Sequence, residues 1–225
     1  MVLARATPER SHPRLTHSLR LRQGFNALET IGDEPISFAG ETVDFMRIGE
    51  NPFLFSLDGF NALTDIAGFL LIDQNFELVN LTGFSSLERV GSTTRSVGLQ
   101  LTLNPRLRTL SAFPALETVD GRLIFSFNGL LDISGFNSLT TVTFGIQIDQ
   151  NLILDISGFG ALVSESGSIS ITDNDRLETI TGFAALEFVT ALTINDNDAL
   201  SSIPGVRAPR RRTGPARRSC AAVRL

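Results

Sequence analysis

The sequence contains no lysine, tryptophan or tyrosine, and it has one cysteine, Cys220, and two histidines, His12 and His17. A single cysteine excludes an intrachain disulfide framework and a zinc site built from several thiolates. Both histidines precede the regular part of the chain, so a Ser-His-Asp or Cys-His catalytic set cannot form within that part. No apolar run approaches the ~18 residues of a membrane span, and the N-terminus lacks the apolar stretch of a secretory signal peptide.

Charge divides the chain into three parts, although its net charge is only −5. Residues 1–23 carry a net +4, residues 24–205 a net −16 and residues 206–225 a net +7, and every cation is an arginine. We expect the two Arg-rich ends to be disordered, because neither carries the apolar pattern of the middle segment. The Arg cluster at 209–218 lacks aromatic residues and adjoins an acidic segment, so we assign no nucleic-acid partner.

The middle segment, 24–205, repeats every 23 to 24 residues when the chain is aligned on one asparagine. Apolar residues stand five and three places before each asparagine, and this period of two predicts a strand with one buried face. We therefore expect residues 45–200 to form one parallel sheet of about seven strands. The aligned asparagines are Asn51, Asn75, Asn104, Asn128, Asn151, Asn174 and Asn197.

The rest of each repeat carries a leucine three places after the asparagine, then Gly-Phe, then apolar residues at further steps of three. Steps of three, as in Phe60, Leu63 and Ile66, favour a turn-rich side over a second strand. We interpret the asparagines as a structural ladder that satisfies backbone groups where each strand bends, rather than as a ligand-binding row. Glu165 interrupts the pattern, and we predict that Val163 takes its buried place. The leucines are Leu54, Leu78, Leu107, Leu131, Leu154, Leu177 and Leu200, and the phenylalanines, predicted to form one interior column, are Phe25, Phe60, Phe84, Phe113, Phe136, Phe159 and Phe183.

The unit strand-x-x-N-x-x-L-x-x-I-x-G-F-x-x-L-x-x-I/V resembles the repeat of receptor L domains, a family related to leucine-rich repeats. The resemblance covers about residues 24–205. It implies an all-β, single-domain solenoid of about seven repeats, a right-handed parallel β-helix. It also implies an extracellular or cell-surface protein that binds proteins or contributes to a cell wall. Because the repeats contain no histidine or cysteine for a catalytic set, we predict that the protein is not an enzyme. The chain lacks the cysteines of growth-factor receptors, which argues against membership of that group.

Acidic residues beside the asparagines are the nearest approach to a catalytic or metal site. Clustered acids on a β-helix would suit a carbohydrate-active enzyme, which is the least favoured alternative. Residues 173–175 and 195–198 fall in register in adjacent turns and offer oxygen atoms suited to Ca²⁺, although EF-hand spacing is missing. We assign no catalytic residue, metal or cofactor. The acids are Asp73, Asp149, Asp173, Asp175, Asp196 and Asp198.

Two insertions indicate where a partner binds. Gly32–Thr42 and Ser92–Val97 fall at the same place in their repeats, so they border the outward face of the sheet. That face is mostly neutral and polar, which suits a protein or glycan better than a small molecule. The alternative is a structural or adhesive wall protein. The candidate binding residues are Arg47, Leu71, Gln100, Ile124, Gln147, Ser170 and Thr193 in one row and Asp73, Asp149 and Thr172 in the next.

The C-terminal end of the solenoid has no evident polar cap after Ile203-Pro204. An uncapped end exposes strand backbone and apolar edges, so the sequence also predicts self-association through this end.

Overall fold

The computed structural model describes residues 2–4, 30–31, 37–38, 41–42, 45–92, 96–165 and 167–204, and these ranges contain strands and turns but no helix. The strands, in chain order, are β1 Val2–Ala4, β2 Thr30–Ile31, β3 Ser37–Phe38, β4 Glu41–Thr42, β5 Phe45–Gly49, β6 Ser56–Leu57, β7 Asp65–Ile66, β8 Phe69–Asp73, β9 Asn80–Leu81, β10 Arg89–Gly91, β11 Val97–Thr102, β12 Thr118–Asp120, β13 Arg122–Ser126, β14 Thr141–Val142, β15 Gly145–Asp149, β16 Asp155–Ile156, β17 Ser164–Glu165, β18 Ser168–Thr172, β19 Thr179–Ile180 and β20 Ala191–Asn195.

The main sheet contains seven parallel strands in the order β5-β8-β11-β13-β15-β18-β20. Each strand pairs with the one in the next repeat, and the register follows the asparagine alignment: Leu70 lies opposite both Met46 and Leu99. The chain is therefore a parallel β-solenoid of about six turns, and the predicted fold class is confirmed. β1 pairs antiparallel with β5 at the N-terminal edge; the rest of segment 1–23 lies outside the described residues, as does 206–225.

A second, narrower parallel sheet lies on the side that was predicted to be turn-rich. It runs in the order β2-β7-β10-β12-β14-β17, with strands of only two or three residues. The side begins with a turn, in which the Leu63 amide donates to the Phe60 carbonyl at 3.1 Å, and Ile66 then enters β7. A third side has the short parallel pairs β6–β9 and β16–β19. Apolar residues at steps of three thus predict the turn correctly but do not indicate the short strand that follows it.

The interior is a continuous apolar core in which the predicted phenylalanine column is present. Adjacent rings from Phe60 to Phe183 stack with centroids 5.1 to 5.6 Å apart, and all six are buried. Phe25 lies outside the described residues. Because each ring covers its copy in the next turn, burial extends along the whole stack although one turn could not bury its own residues.

Two of the predicted interior leucines are exposed. Leu131 and Leu154 are 38% and 42% accessible, whereas Leu130 and Ile153 are fully buried. The turns that begin at Asn128 and Asn151 have eight residues from asparagine to phenylalanine instead of nine. The missing residue moves the inward position from three places after the asparagine to two.

The prediction that Val163 takes a buried place is also wrong. Val163 is 44% exposed, directly after the buried Leu162. Its amide donates to the Thr140 carbonyl, and the following strand β17 brings the Glu165 backbone opposite Val142 in the second sheet. Glu165 therefore keeps the strand position of the repeat, and Val163 occupies a connecting position.

The asparagines form the predicted ladder. The Asn104 Nδ2 donates to the carbonyls of Ile72 and Thr102 at 3.0 Å and to the Asn128 Oδ1 at 3.1 Å. The Asn104 Oδ1 accepts from the backbone and side-chain amides of Asn75. The same amide-to-amide contact joins Asn51 to Asn75, Asn151 to Asn174, and Asn174 to Asn197.

One rung of the ladder is missing, between Asn128 and Asn151. The Asn151 Oδ1 is buried and has no hydrogen-bond partner within the described part of the chain. The Asn151 Nδ2 still donates to the carbonyls of Phe125 and Asp149. The gap lies between the two short turns, where the chain leaves the asparagine by a different path.

The residue before each asparagine adopts a left-handed backbone, which the sequence analysis did not predict. Glu50, Gln74, Leu103, Phe127, Gln150, Asp173 and Asp196 all have φ between 53° and 58°, and none is glycine. Continued alternation would point this residue inward and the asparagine outward. The left-handed residue reverses that order, so the asparagine amide enters the corner. The conformation costs roughly 1–2 kcal/mol for a non-glycine residue.

We expect Asn104→Ala to lower the free energy of unfolding, because it leaves buried carbonyls and the Asn75 amide without partners, at about 1–3 kcal/mol for each group. Urea denaturation measures the change. The matched control is Asn137→Ala, an exposed amide that donates to the Ser134 carbonyl, with an expected change within about 0.5 kcal/mol. Equal effects of the two substitutions would contradict a structural role for the ladder.

Candidate functional site

The outward face of the main sheet carries the two predicted rows in register. Arg47, Leu71 and Gln100 lie opposite one another on successive strands, and Ile124, Gln147, Ser170 and Thr193 continue the row, all half-buried. In the next row, Asp73 and Asp149 are buried among their neighbours, and Thr172 is half-buried. The first row is therefore the more accessible part of the sheet face. The second row is more buried and lies at the ends of the strands, beside the corner.

Arg47 is held in place by acids on both sides. Its Nε donates to the Asp73 Oδ1 at 2.9 Å and its NH2 to the Asp73 Oδ2 at 2.6 Å, and NH2 also reaches the Glu50 Oε1 at 2.8 Å. The hydrogen bond to Asp73 is the main cause that raises the pKa of Arg47 above its already high ordinary value. The guanidinium is thus a fixed cation on the sheet face at every physiological pH.

Gly49 makes room for this ion pair. A Cβ at Gly49 would lie 2.1 Å from the Asp73 Oδ1 and 3.0 Å from the Arg47 guanidinium carbon. Any other residue would therefore displace the carboxylate that orients Arg47. The ion pair between Arg47 and Asp73 therefore requires glycine at the start of the second row.

Asp149 forms a smaller polar cluster farther along the sheet. Its Oδ1 accepts from the Ser126 Oγ at 2.6 Å and from the Gln147 Nε2 at 2.8 Å. Asp73 and Asp149 are three strands apart in their row, which is about 14 Å at the ordinary strand spacing. Paired carboxylates that hydrolyse glycosides stand about 5–9.5 Å apart, so these two acids do not form such a pair.

The acids considered for calcium lie elsewhere. Asp173, Asp175, Asp196 and Asp198 are exposed at the corner after the strands. Among the described residues, no group of three or more His, Cys, Asp or Glu side chains is placed to hold a metal ion.

A pair of aromatic residues on the sheet face was not predicted from the sequence. Phe45 and Phe69 stack with centroids 5.0 Å apart and rings 7° from parallel, and both are half-buried. Alternation shows this signal, since Met46 and Leu70 point inward and their neighbours must point outward. Together with Arg47, Leu71 and Asp73, this pair forms what we call the sheet-face cluster, which has aromatic rings although the chain contains no tryptophan or tyrosine.

The first insertion lies directly before the sheet-face cluster in the chain. Within Gly32–Thr42, β3 and β4 pair as an antiparallel hairpin, and β5 begins three residues after it. In the second insertion, residues 93–95 lie outside the described residues, and the Ser92 amide donates to the Asp120 carbonyl at 2.9 Å.

A further charged contact lies on the second sheet. Arg89 donates to the Asp120 Oδ2 at 2.5 Å and lies in register with Asp65. Burial is the main cause that raises the pKa of Asp65 above its ordinary value. The positive charge of Arg89 lowers this pKa, and the negative charge of Asp120 raises it. The contact joins the adjacent turns that contain β10 and β12.

Residues 40–134 match the family model of the receptor L domain. The predicted resemblance is confirmed, and the matched stretch contains the whole sheet-face cluster. Receptor L domains are non-catalytic, ligand-binding modules of receptors. No curated protein and no solved structure matches the chain. No helix long and apolar enough to cross a membrane occurs in the described ranges.

Proposed function

We propose that this protein is a non-catalytic binding module, exposed at a cell surface or secreted, whose main sheet presents its outward face to a protein partner. The observation that supports this proposal is the sheet-face cluster. It combines stacked aromatic rings and an arginine, which are residue types enriched at the core of protein interfaces, with one aliphatic side chain. The cluster lies within the stretch that matches a ligand-binding family.

Contacts within the protein restrain the side chains of the cluster. Arg47 is fixed by two bonds to Asp73 and one to Glu50, and the rings of Phe45 and Phe69 restrain each other. A partner therefore meets side chains that lose little conformational freedom on binding, which favours affinity. A parallel sheet is flat on the scale of a small molecule, so an extended partner surface fits it better.

A glycan is the second ligand class. The first row continues past the cluster as Gln100, Gln147, Ser170 and Thr193, interrupted by Ile124. Amides and hydroxyls at the ~4.8 Å strand spacing can donate to and accept from successive sugar hydroxyls. A purely structural role in a wall or matrix would use the same solenoid without needing either the cluster or this row.

We expect Leu71→Glu to weaken binding of a partner at least tenfold, because a charge replaces an apolar contact at the centre of the cluster. Partners are sought with wild-type protein on an array of secreted and cell-surface ectodomains and on a glycan array, and affinities are then measured by surface plasmon resonance. The matched control is Ser201→Glu, which adds the same charge at an exposed position on another side.

Two further changes, Ile124→Glu and the shortening of Gly32–Thr42, test whether the partner binds the sheet face. If affinity survives all three changes while the fold remains intact, the partner does not bind the sheet face.

We also propose self-association through the C-terminal end. β20 is the last strand of the main sheet, and among the described strands none covers its outer edge as β1 covers β5. Leu200 and Ile203 in the same turn are only partly buried. Light scattering should show a molar mass that rises with protein concentration. A constant monomer mass at high concentration contradicts this association.

A further inference from the structure

A second surface lies around the corner from the sheet, where each turn leaves its strand. The residue just before each asparagine, the residue just after it and the next outward position form three rows along the solenoid. Each of the first five turns places at least one exposed apolar side chain in these rows. We call these side chains together the apolar band. It includes Phe55, Phe76, Leu103, Phe127, Leu131 and Leu154.

The apolar band is present in each of the first five turns, although Arg108 occupies the outward row in the third turn, where its carbonyl accepts from the Leu131 amide. The Val79 amide donates to the Phe55 carbonyl at 3.0 Å, and the Leu154 amide approaches the Leu131 carbonyl at 3.5 Å. These bonds hold equivalent residues one strand spacing apart, about 4.8 Å. The band thus extends about 20 Å along the solenoid axis, and its most closely spaced part is Leu103, Phe127, Leu131 and Leu154 in three successive turns.

Leu103 and Phe127 are unfavourable at their positions for two separate reasons. Both adopt the left-handed backbone, with φ of 57° and 56°, and both are exposed, at 41% and 49%. Asparagine or glycine would adopt the left-handed backbone at lower cost and would remove the exposed apolar side chain. Their side chains lie outside the core, so packing does not explain them. The left-handed backbone recurs in all seven turns and serves the corner, so the exposed apolar surface is the feature that these two residues add, and such surface is typical of binding sites.

The same three rows become acidic in the last two turns. Asp173 and Asp196 precede their asparagines, Asp175 and Asp198 follow them, and Glu178 occupies the outward row, where its amide donates to the Leu154 carbonyl. All five are exposed. The acidic end therefore continues the apolar band directly, on the same rows and in the same register.

We propose that this surface docks one polypeptide segment of a partner, extended along the solenoid axis, with apolar side chains over the first five turns and arginine or lysine side chains over the last two. Charge decides between occupants. A nucleic acid or an anionic membrane would bring negative charge to the acidic end, and a second copy would bring another acidic solenoid. A basic and apolar segment is complementary to both ends. This site is separate from the sheet face and does not depend on the function proposed for it.

The probe is a synthetic peptide of about 16 residues with alternating leucine and serine in one half and alternating arginine and serine in the other, made in both orders. Fluorescence anisotropy against the full chain should show saturable binding of one order. Phe127→Asn should weaken it at least tenfold without lowering the unfolding temperature, because asparagine accepts the left-handed backbone. Phe144→Asn is the matched control, since Phe144 is exposed but lies outside the apolar band.

Replacing the peptide arginines with aspartate should abolish binding, whereas Leu71→Glu in the protein should leave it unchanged. The proposal is overturned if neither order binds or if Phe127→Asn binds as wild type does. It is also overturned if the peptide binds at least tenfold more tightly after Arg210, Arg211 and Arg212 are changed to serine, which would make the chain's own tail the occupant. Dimerisation of the wild type that Phe127→Asn abolishes would assign the band to a second copy instead.

Discussion

Every turn of this solenoid depends on a hydrogen-bonding problem at the corner where its strand ends. The corner is buried, so its carbonyls cannot bond to water, and an unpaired carbonyl there would cost about 1–3 kcal/mol. The asparagine amide resolves this by donating to a carbonyl of its own turn and to one of the preceding turn, as Asn104 does with Thr102 and Ile72. The residue before the asparagine must adopt a left-handed backbone to bring the amide inward, and this conformation costs free energy. The strand register, the phenylalanine column and the second sheet all follow from turns that repeat this corner.

Repetition also separates the residues that hold the fold from those available for binding. Inward positions recur as leucine, isoleucine and phenylalanine because each must cover its copy in the next turn. Outward positions are free to differ, and the differences are not uniform along the chain. The first two turns carry the sheet-face cluster, the first five carry the apolar band, and the last two are acidic at the corner. The residues that we propose to bind partners are therefore among the positions that depart from the repeat.

The sequence predicted the main sheet and the phenylalanine column because seven copies agree at positions whose spacing has one physical meaning. It did not predict the left-handed corner, since Glu50, Leu103, Phe127 and Asp173 share neither side chain nor propensity, and none is the glycine that marks such a backbone. The second sheet was missed because strands of two or three residues are too short for alternation to be visible. Leu131 was misplaced because a one-residue shortening moves the inward position without changing composition. Phe45 and Phe69 could have been found, since alternation alone places them outward.

Native-state hydrogen exchange measured by NMR tests the central claim most directly, namely that the asparagine ladder holds the corners. The backbone amides of Asn51, Asn75, Asn104, Asn151 and Asn174 each donate to the side chain of the next asparagine. These five amides should exchange only through global unfolding, and the Asn128 amide, at the missing rung, should exchange faster. Exchange of all six at the rates of exposed loops would contradict the ladder as the interaction on which the solenoid depends.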